Sequence, residues 1–164
     1  MPRRLPVAEA GNTIRRAAEA DVPIIVALNH ALFQEDAGQR DPFMNLNWPH
    51  EEGEDYVTKL LHSEKSIGML AERKGQAIGY LVGYLKPSSS LRPVRIAELE
   101  SMYVGEEHRS QEVGQQLVSR FLEWVREQGA ERVSVTAYVA NEGAVSFYKR
   151  MGFIPKNLTL ELGL

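Results

Sequence analysis

The stretch Ile96–Leu117, IAELESMYVGEEHRSQEVGQQL, decides how this chain is read. It predicts a strand that runs into a glycine-containing turn, and the turn opens a helix. The first backbone N–H groups of a helix have no intrahelical partner, and the helix dipole favours negative charge at the same end. Such a turn is an anion site, and a phosphate-bearing ligand fits it. The turn residues are Arg109-Ser110-Gln111-Glu112-Val113-Gly114. They lack the lysine and the glycine spacing of a P-loop, and no G-x-G-x-x-G follows the strand, so neither an NTPase nor a dinucleotide fold is supported. One arginine and one glycine before a helix also occur in ordinary strand-turn-helix connections, so specificity has to come from further along.

It comes from Asn141-Glu142-Gly143-Ala144-Val145-Ser146-Phe147-Tyr148-Lys149-Arg150-Met151-Gly152-Phe153. This segment begins with a capping Asn and ends at a Gly suited to the residue after a helix, so it predicts a short helix. In spacing and order the two segments resemble the GCN5-related N-acetyltransferase (GNAT) superfamily, which commonly shows R-x-x-G-x-G before one helix and N-x-x-A-x-x-x-Y-x-x-x-G-F later. The resemblance implies an α+β fold with a mixed, mostly antiparallel central sheet flanked by helices. It implies acetyl-CoA as cosubstrate, its pyrophosphate held on the amides of Arg109, Ser110, Gln111, Glu112, Val113, Gly114 and Gln115. The preceding strand of such proteins splays at a bulge and pairs with the pantetheine arm, which implicates the backbone of Met102, Tyr103 and Val104. Asn141 would lie beside that arm as well as cap its helix, and Arg109 would neutralise phosphate. One residue departs from the pattern: Glu112 stands where the first glycine is usual. Its carboxylate either repels pyrophosphate or turns outward and leaves only its N–H toward the ligand.

Acetyl transfer to an amine needs a free lone pair on nitrogen and a proton for the departing thiolate, so a base and an acid are useful. A thioester is already activated, and alignment of the two reactants supplies much of the acceleration without a covalent intermediate. The resemblance places Tyr148 near the CoA sulfur as candidate acid, against the alternative of a packing tyrosine. Glu98 and Glu100, two residues apart on one strand, share a face unless a bulge falls between them, and either could be the base. The alternative is that they solvate the sheet or attract a cationic amine. Glu35, Asp36 and Asp41 lie in the early loop where the family commonly builds its acceptor pocket. They are candidate substrate-binding residues for a cationic amine, against ordinary solvation.

Composition agrees with this reading. The 164 residues, 43% of them hydrophobic, suffice for one domain with a substantial core. We expect a tail over residues 1–12 and a single domain over 13–164. A net charge of −3 gives no electrostatic footprint for nucleic acid. The chain has no cysteine, which excludes disulfides, thiolate metal sites and a cysteine nucleophile. His30, His50, His62 and His108 show no metal-ligand spacing, so no metal is expected, and Trp48 and Trp124 are expected to pack. No apolar run is long enough to span a bilayer or serve as a secretory signal, so a cytoplasmic protein is expected.

A first strand is expected at Thr13–Ala17. Asp21 is expected to cap a helix over about Val22–Phe33, with Ile24, Ile25, Leu28 and Leu32 on one side. A long connection or broken helix over Gln34–Pro49 precedes a helix near Glu51–Leu61. A hairpin of Ser66–Arg73 and Gln76–Lys86 turns at Lys74-Gly75. Then come a strand over Arg95–Val104, a helix over Gly114–Gln128 stopped by Gly129, a strand over Arg132–Tyr138, the Asn141 helix, and strands at Phe153–Pro155 and Leu158–Leu162. The expected function is acetyl transfer from acetyl-CoA directly to a primary amine, with a small-molecule acceptor favoured. The alternatives are a protein or peptide acceptor and a noncatalytic acyl-CoA-binding or regulatory module. A homodimer is possible, with the Leu158–Leu162 strand contributing an edge.

Overall fold

A computed structural model describes residues 11–164. Residues 1–10 of the expected tail lie outside the described residues, while Asn12 accepts a hydrogen bond from Arg73 Nε at 2.9 Å. The element order is β1 (Thr13–Arg16), α1 (Val22–Glu35), α2 (Ala37–Arg40), α3 (Trp48–Glu51), α4 (Gly53–His62), β2 (Ser66–Arg73), β3 (Gln76–Leu85), β4 (Ile96–Val104), α5 (Val113–Glu127), β5 (Arg132–Val135) and α6 (Glu142–Arg150). The five strands form one sheet in the order β1-β2-β3-β4-β5. Its first three pairings are antiparallel and β4 pairs β5 in parallel.

The hairpin forms where its turn chemistry puts it: Lys74 and Gly75 take φ of 51° and 76°, the left-handed pair that suits the twist of a two-residue loop. Two cores flank the sheet. On one face α5 buries Leu117, Val118, Phe121, Trp124 and Val125 against Ala97 and Leu99. Gly83 makes that approach possible, since a Cβ there would lie 2.5 Å from the Phe121 ring. On the other face α1 and α4 set Val22, Ile25, Val57 and Leu60 against Leu70, Tyr80 and Val82. Gly129, at φ +70°, ends α5.

Some expectations need correction. Asp21 does not cap α1: its carboxylate reaches back to the Ala18 N–H at 2.8 Å and to Arg15 at 2.7 and 2.8 Å. The Arg15 hydrogen bonds hold it below the usual carboxylate range. Ile24 faces outward at 40% exposure, and the inward position is taken by Asn29, whose Nδ2 donates to the Tyr80 hydroxyl at 2.8 Å. The Gln34–Pro49 region is the broken helix, and α1 runs on to Glu35. β5 stops at Val135 rather than Tyr138, because its last partner on β4 is Leu99 and a bulge there carries β4 away. The strands expected at Phe153–Pro155 and Leu158–Leu162 do not form. A strand needs a backbone partner, and the described residues offer this segment none.

Candidate functional site

The site begins at the bulge. Across β3 and β4 the register runs Val82↔Ser101 and then Gly83↔Leu99, so Glu100 is the extra residue. Side-chain direction changes there: Ala97 and Leu99 enter the α5 core before the bulge, and Met102 and Val104 pack on that same core after it. Glu100 and Ser101 interrupt the alternation. Pairing with β5 ends at Leu99, so from Glu100 to Val104 the β5-facing side of β4 has no strand partner among the described residues. The two parallel strands therefore part into a gap at the β5 end of the sheet.

The head of α5 lies at that gap. A short helical turn, Glu106–His108, leads into the anion turn, where Ser110 and Glu112 take φ of 58° and 65°. The first helical hydrogen bond runs from Gln116 N–H to the Glu112 carbonyl at 2.9 Å. Among the described residues, the six backbone N–H groups from Ser110 to Gln115 find no protein acceptor. A run of free amides at the positive end of a 15-residue helix suits an anion with several oxygens. Gly114 lies beneath α6, and a Cβ there would lie 3.4 Å from the Phe147 ring and 3.7 Å from Met102 Cε. Both are ordinary van der Waals distances, so the position places the head of α5 in contact range of α6 and of β4 without requiring a glycine. Glu112 is exposed, so its carboxylate can turn to solvent while its N–H remains in the run.

The left-handed backbone at Glu112 costs an ordinary side chain about 1 kcal/mol, which a glycine avoids at a similar cost in chain entropy. The Glu112→Gly protein is therefore expected to unfold within a few degrees of the parent. Removing the charge is expected to tighten acetyl-CoA binding by about twofold to fivefold, the range of exposed charge pairs. Calorimetry checks this, and weaker binding would reject it.

Arg109 is committed elsewhere. Its Nε donates to the Val104 carbonyl at 2.9 Å, its Nη2 donates to Glu35 Oε2 at 2.7 Å, and its guanidinium lies 5.4 Å from the Tyr103 ring centre. The hydrogen bond from the Arg109 guanidinium holds the Glu35 carboxyl below its ordinary range. Asp36 accepts from Arg40 at 3.0 Å and from Asn141 Nδ2 at 3.0 Å, and Asp41 accepts from the Phe43 N–H at 3.0 Å. The three carboxylates expected at the acceptor pocket therefore already bind protein donors, and two of them tie the end of α1 across to Arg109 and to Asn141 at the head of α6. Asn141 uses both ends of its amide, because its Oδ1 also caps α6 at the Ala144 N–H, 3.1 Å away.

The two strand carboxylates have separate surroundings. Glu98 accepts from Ser134 Oγ on β5 and lies 3.3 Å from Lys86 Nζ. Glu100 accepts from the Tyr56 hydroxyl on α4, a contact between residues that no local spacing connects. Desolvation by the surrounding protein raises the Glu100 pKa, the Tyr56 hydrogen bond opposes this, and the charge of Glu98 adds to it. Solvent still reaches Glu100, and the raised pKa makes its carboxylate a stronger base than a free one. Tyr56 itself stands edge-on to Trp48, with ring centres 5.4 Å apart. Tyr56 escaped the sequence reading because only the chain fold brings α4 to the bulge.

Tyr148 stands on α6 with its ring edge-on to Phe147 and Phe153, at 5.2 and 5.5 Å. Burial pushes its hydroxyl pKa up, and the nearby Tyr80 and Asp36 add to the shift. The hydroxyl has no hydrogen-bond partner among the described residues, whereas the Tyr80 hydroxyl is engaged by Ser101 Oγ at 2.9 Å beside the bulge. A shallow hollow of about 450 Å³, lined by Thr13, Glu112, Gln115 and Arg120, lies against β1. It meets the head of α5 at Glu112 and Gln115, on the β1 side of that helix, and holds none of Glu98, Glu100 or Tyr148. Among the described residues, no group of three or more His, Asp or Glu side chains could hold a metal ion. No described helix is long and apolar enough to cross a membrane.

Residues 30–153 match the family model described as Acetyltransferase (GNAT) family. An uncharacterized N-acetyltransferase of Methanocaldococcus jannaschii is 25% identical over 103 residues, which cover 63% of this chain and 46% of that protein. The chain spans about half the length of such curated relatives, or less. Among solved structures, an aminoglycoside acetyltransferase from an uncultured soil metagenomic sample aligns with TM-score 0.69 at 20% identity, over 93% of this chain and 95% of that one. A ribosomal-protein-alanine N-acetyltransferase of Brucella melitensis biovar Abortus aligns with TM-score 0.67 at 14% identity, over 94% of this chain and all of that one (100%). At these identities the structural likeness speaks for the fold.

Proposed function

The chain belongs to the GNAT acetyltransferase family, and we propose that it transfers an acetyl group from acetyl-CoA directly to a primary amine of a small molecule. The observation that carries this reading is the run of free amides from Ser110 to Gln115 beside the part of β4 that has no β5 partner. The amides suit a pyrophosphate, and the β5-facing side of β4 beyond Leu99, where no strand pairs, suits an amide-bearing arm near Met102, the Val104 carbonyl being taken by Arg109. Acetyl-CoA, when bound, supplies an activated thioester carbonyl and a thiolate leaving group. In this reading Glu100 takes a proton from the incoming ammonium, directly or through water, and Tyr148 offers its phenolic proton to the leaving sulfur. Glu98, already paired with Lys86 and Ser134, fixes the floor of the cleft and adds negative potential for a cationic acceptor. Asn141 and Arg109 position the cleft walls through Asp36 and Glu35. The noncatalytic reading rested on Glu112, and its exposed position weakens that motive.

Thiol release from acetyl-CoA is the test, run across polyamines, aminoglycosides, amino acids and amine-bearing peptides, with product mass confirming acetylation. Transfer to a small amine is expected. Transfer only to peptides would shift the acceptor class, and cofactor binding by calorimetry without any transfer would favour the noncatalytic module.

A further inference from the structure

Phe33 near the end of α1, Trp48 at the start of α3 and Tyr56 on α4 come from three elements, yet their rings stand in one series. Phe33 and Trp48 lie nearly parallel with centres 6.0 Å apart, and Trp48 meets Tyr56 edge-on at 5.4 Å. Both are ordinary aromatic packing geometries. The series belongs to neither core beside the sheet: Phe33 and Trp48 are half-buried and Tyr56 is 39% exposed. It ends on charge, because the Tyr56 hydroxyl donates to Glu100 Oε1, while Glu100 Oε2 takes no donor among the described residues. A further ring stands at the same place. Tyr84 pairs across the sheet with Glu98, and desolvation, then the charges of Glu98 and Glu100, raise its hydroxyl pKa.

The negative charge on this floor is single. Lys86 Nζ lies 3.3 Å from Glu98, which leaves Glu100 as the carboxylate without a cation. Farther along α1 and α2, Glu35 is matched by Arg109 and Asp36 by Arg40. One ammonium group is therefore favoured here over several. Aromatic faces attract a cation held beside them, and their carbon surface gains by covering an apolar body.

We propose that the acceptor is a monoamine whose ammonium group is carried one or two carbons from an aromatic ring. Its ammonium meets Glu100 Oε2, and its ring lies along Tyr56 and Trp48. This inference rests on the acetyl-transfer reading and names the acceptor class within it. A polyamine or an aminoglycoside carries further ammonium groups, which would lie along the rings without an anion.

Two readouts on the full chain test it. In thiol release from acetyl-CoA, kcat/KM for 2-phenylethylamine is expected to exceed that for n-propylamine, spermidine and an aminoglycoside by about tenfold or more. Trp48→Leu is expected to lower the ratio of phenylethylamine to propylamine by about fivefold, whereas Trp48→Phe, which keeps a ring, should retain most of it. The parent's own selectivity decides the matter even where Trp48→Leu fails to fold. Binding is read without turnover from tryptophan emission in the presence of coenzyme A. 2-Phenylethylamine is expected to change the emission of the parent, and Trp48→Phe should lose that change, since Trp124 is only 6% exposed. Equal rates with phenylethylamine and propylamine, or a preference for spermidine or the aminoglycoside, overturn the proposal and leave acetyl transfer standing. An emission change without transfer to any amine supports the aromatic site and removes the transfer reading instead. Neither binding nor transfer overturns both.

Discussion

Turnover of the Tyr148→Phe protein is expected to fall by about 100-fold or more, with acetyl-CoA affinity changed by less than about threefold. The substitution keeps the ring that stands edge-on between Phe147 and Phe153 and removes only the hydroxyl. That hydroxyl bonds to nothing else among the described residues, so its loss breaks no contact that holds α6 in place. Burial raises its pKa above the ordinary phenol, so the acid form persists throughout any neutral or mildly alkaline assay. The sign follows: Tyr148 is a competent donor at every working pH, and a basic limb near neutrality would belong to another group. Steady-state kinetics beside calorimetry separates the outcomes. An unchanged turnover removes the acid role, whereas affinity and turnover falling together would mean a packing role.

The second large effect is expected at Glu100. Its pKa is raised chiefly by desolvation, and a base works only when ionised. The rate should therefore rise through an acidic limb that lies above the normal carboxylate range. Glu100→Gln is expected to lower kcat/KM by about 100-fold at neutral pH and to abolish that limb. Glu98→Gln is expected to keep the limb and to act mainly on KM for cationic acceptors, because its carboxylate is occupied by Lys86 and Ser134. With the Glu98 charge gone, the limb should also move to lower pH, since that charge contributes to the raised pKa. Profiles for both variants that match the parent would leave neither carboxylate as base.

Much of the scaffold behind these expectations is written locally. The Lys74-Gly75 turn, the apolar stripe of α5, its stop at Gly129 and the Asn141 cap each depend on residues within a few positions of one another, and each stands where its pattern puts it. The anion turn was legible for the same reason, because free amides follow from any helix start. Local signals failed where a distant partner competes. Asp21 has the chemistry of a cap, but the Arg15 guanidinium draws its carboxylate away. Leu158–Leu162 has the pattern of a strand, yet no pattern supplies the second strand it needs.

The division follows from the range of the forces. Backbone sterics, capping and hydrophobic period act over one or two turns, so the order of residues alone determined the family motifs, the hairpin, the helices and the pool of candidate residues. Telling Glu98 from Glu100 required the bulge and the arrival of Tyr56 from α4, 44 residues away along the chain. Arg109 reaches Glu35 across 74 residues, and Asn141 reaches Asp36 across 105. Burial and charge pairing depend on which segments the packed sheet brings side by side, and that is why only the tertiary structure decided the surroundings of each candidate residue.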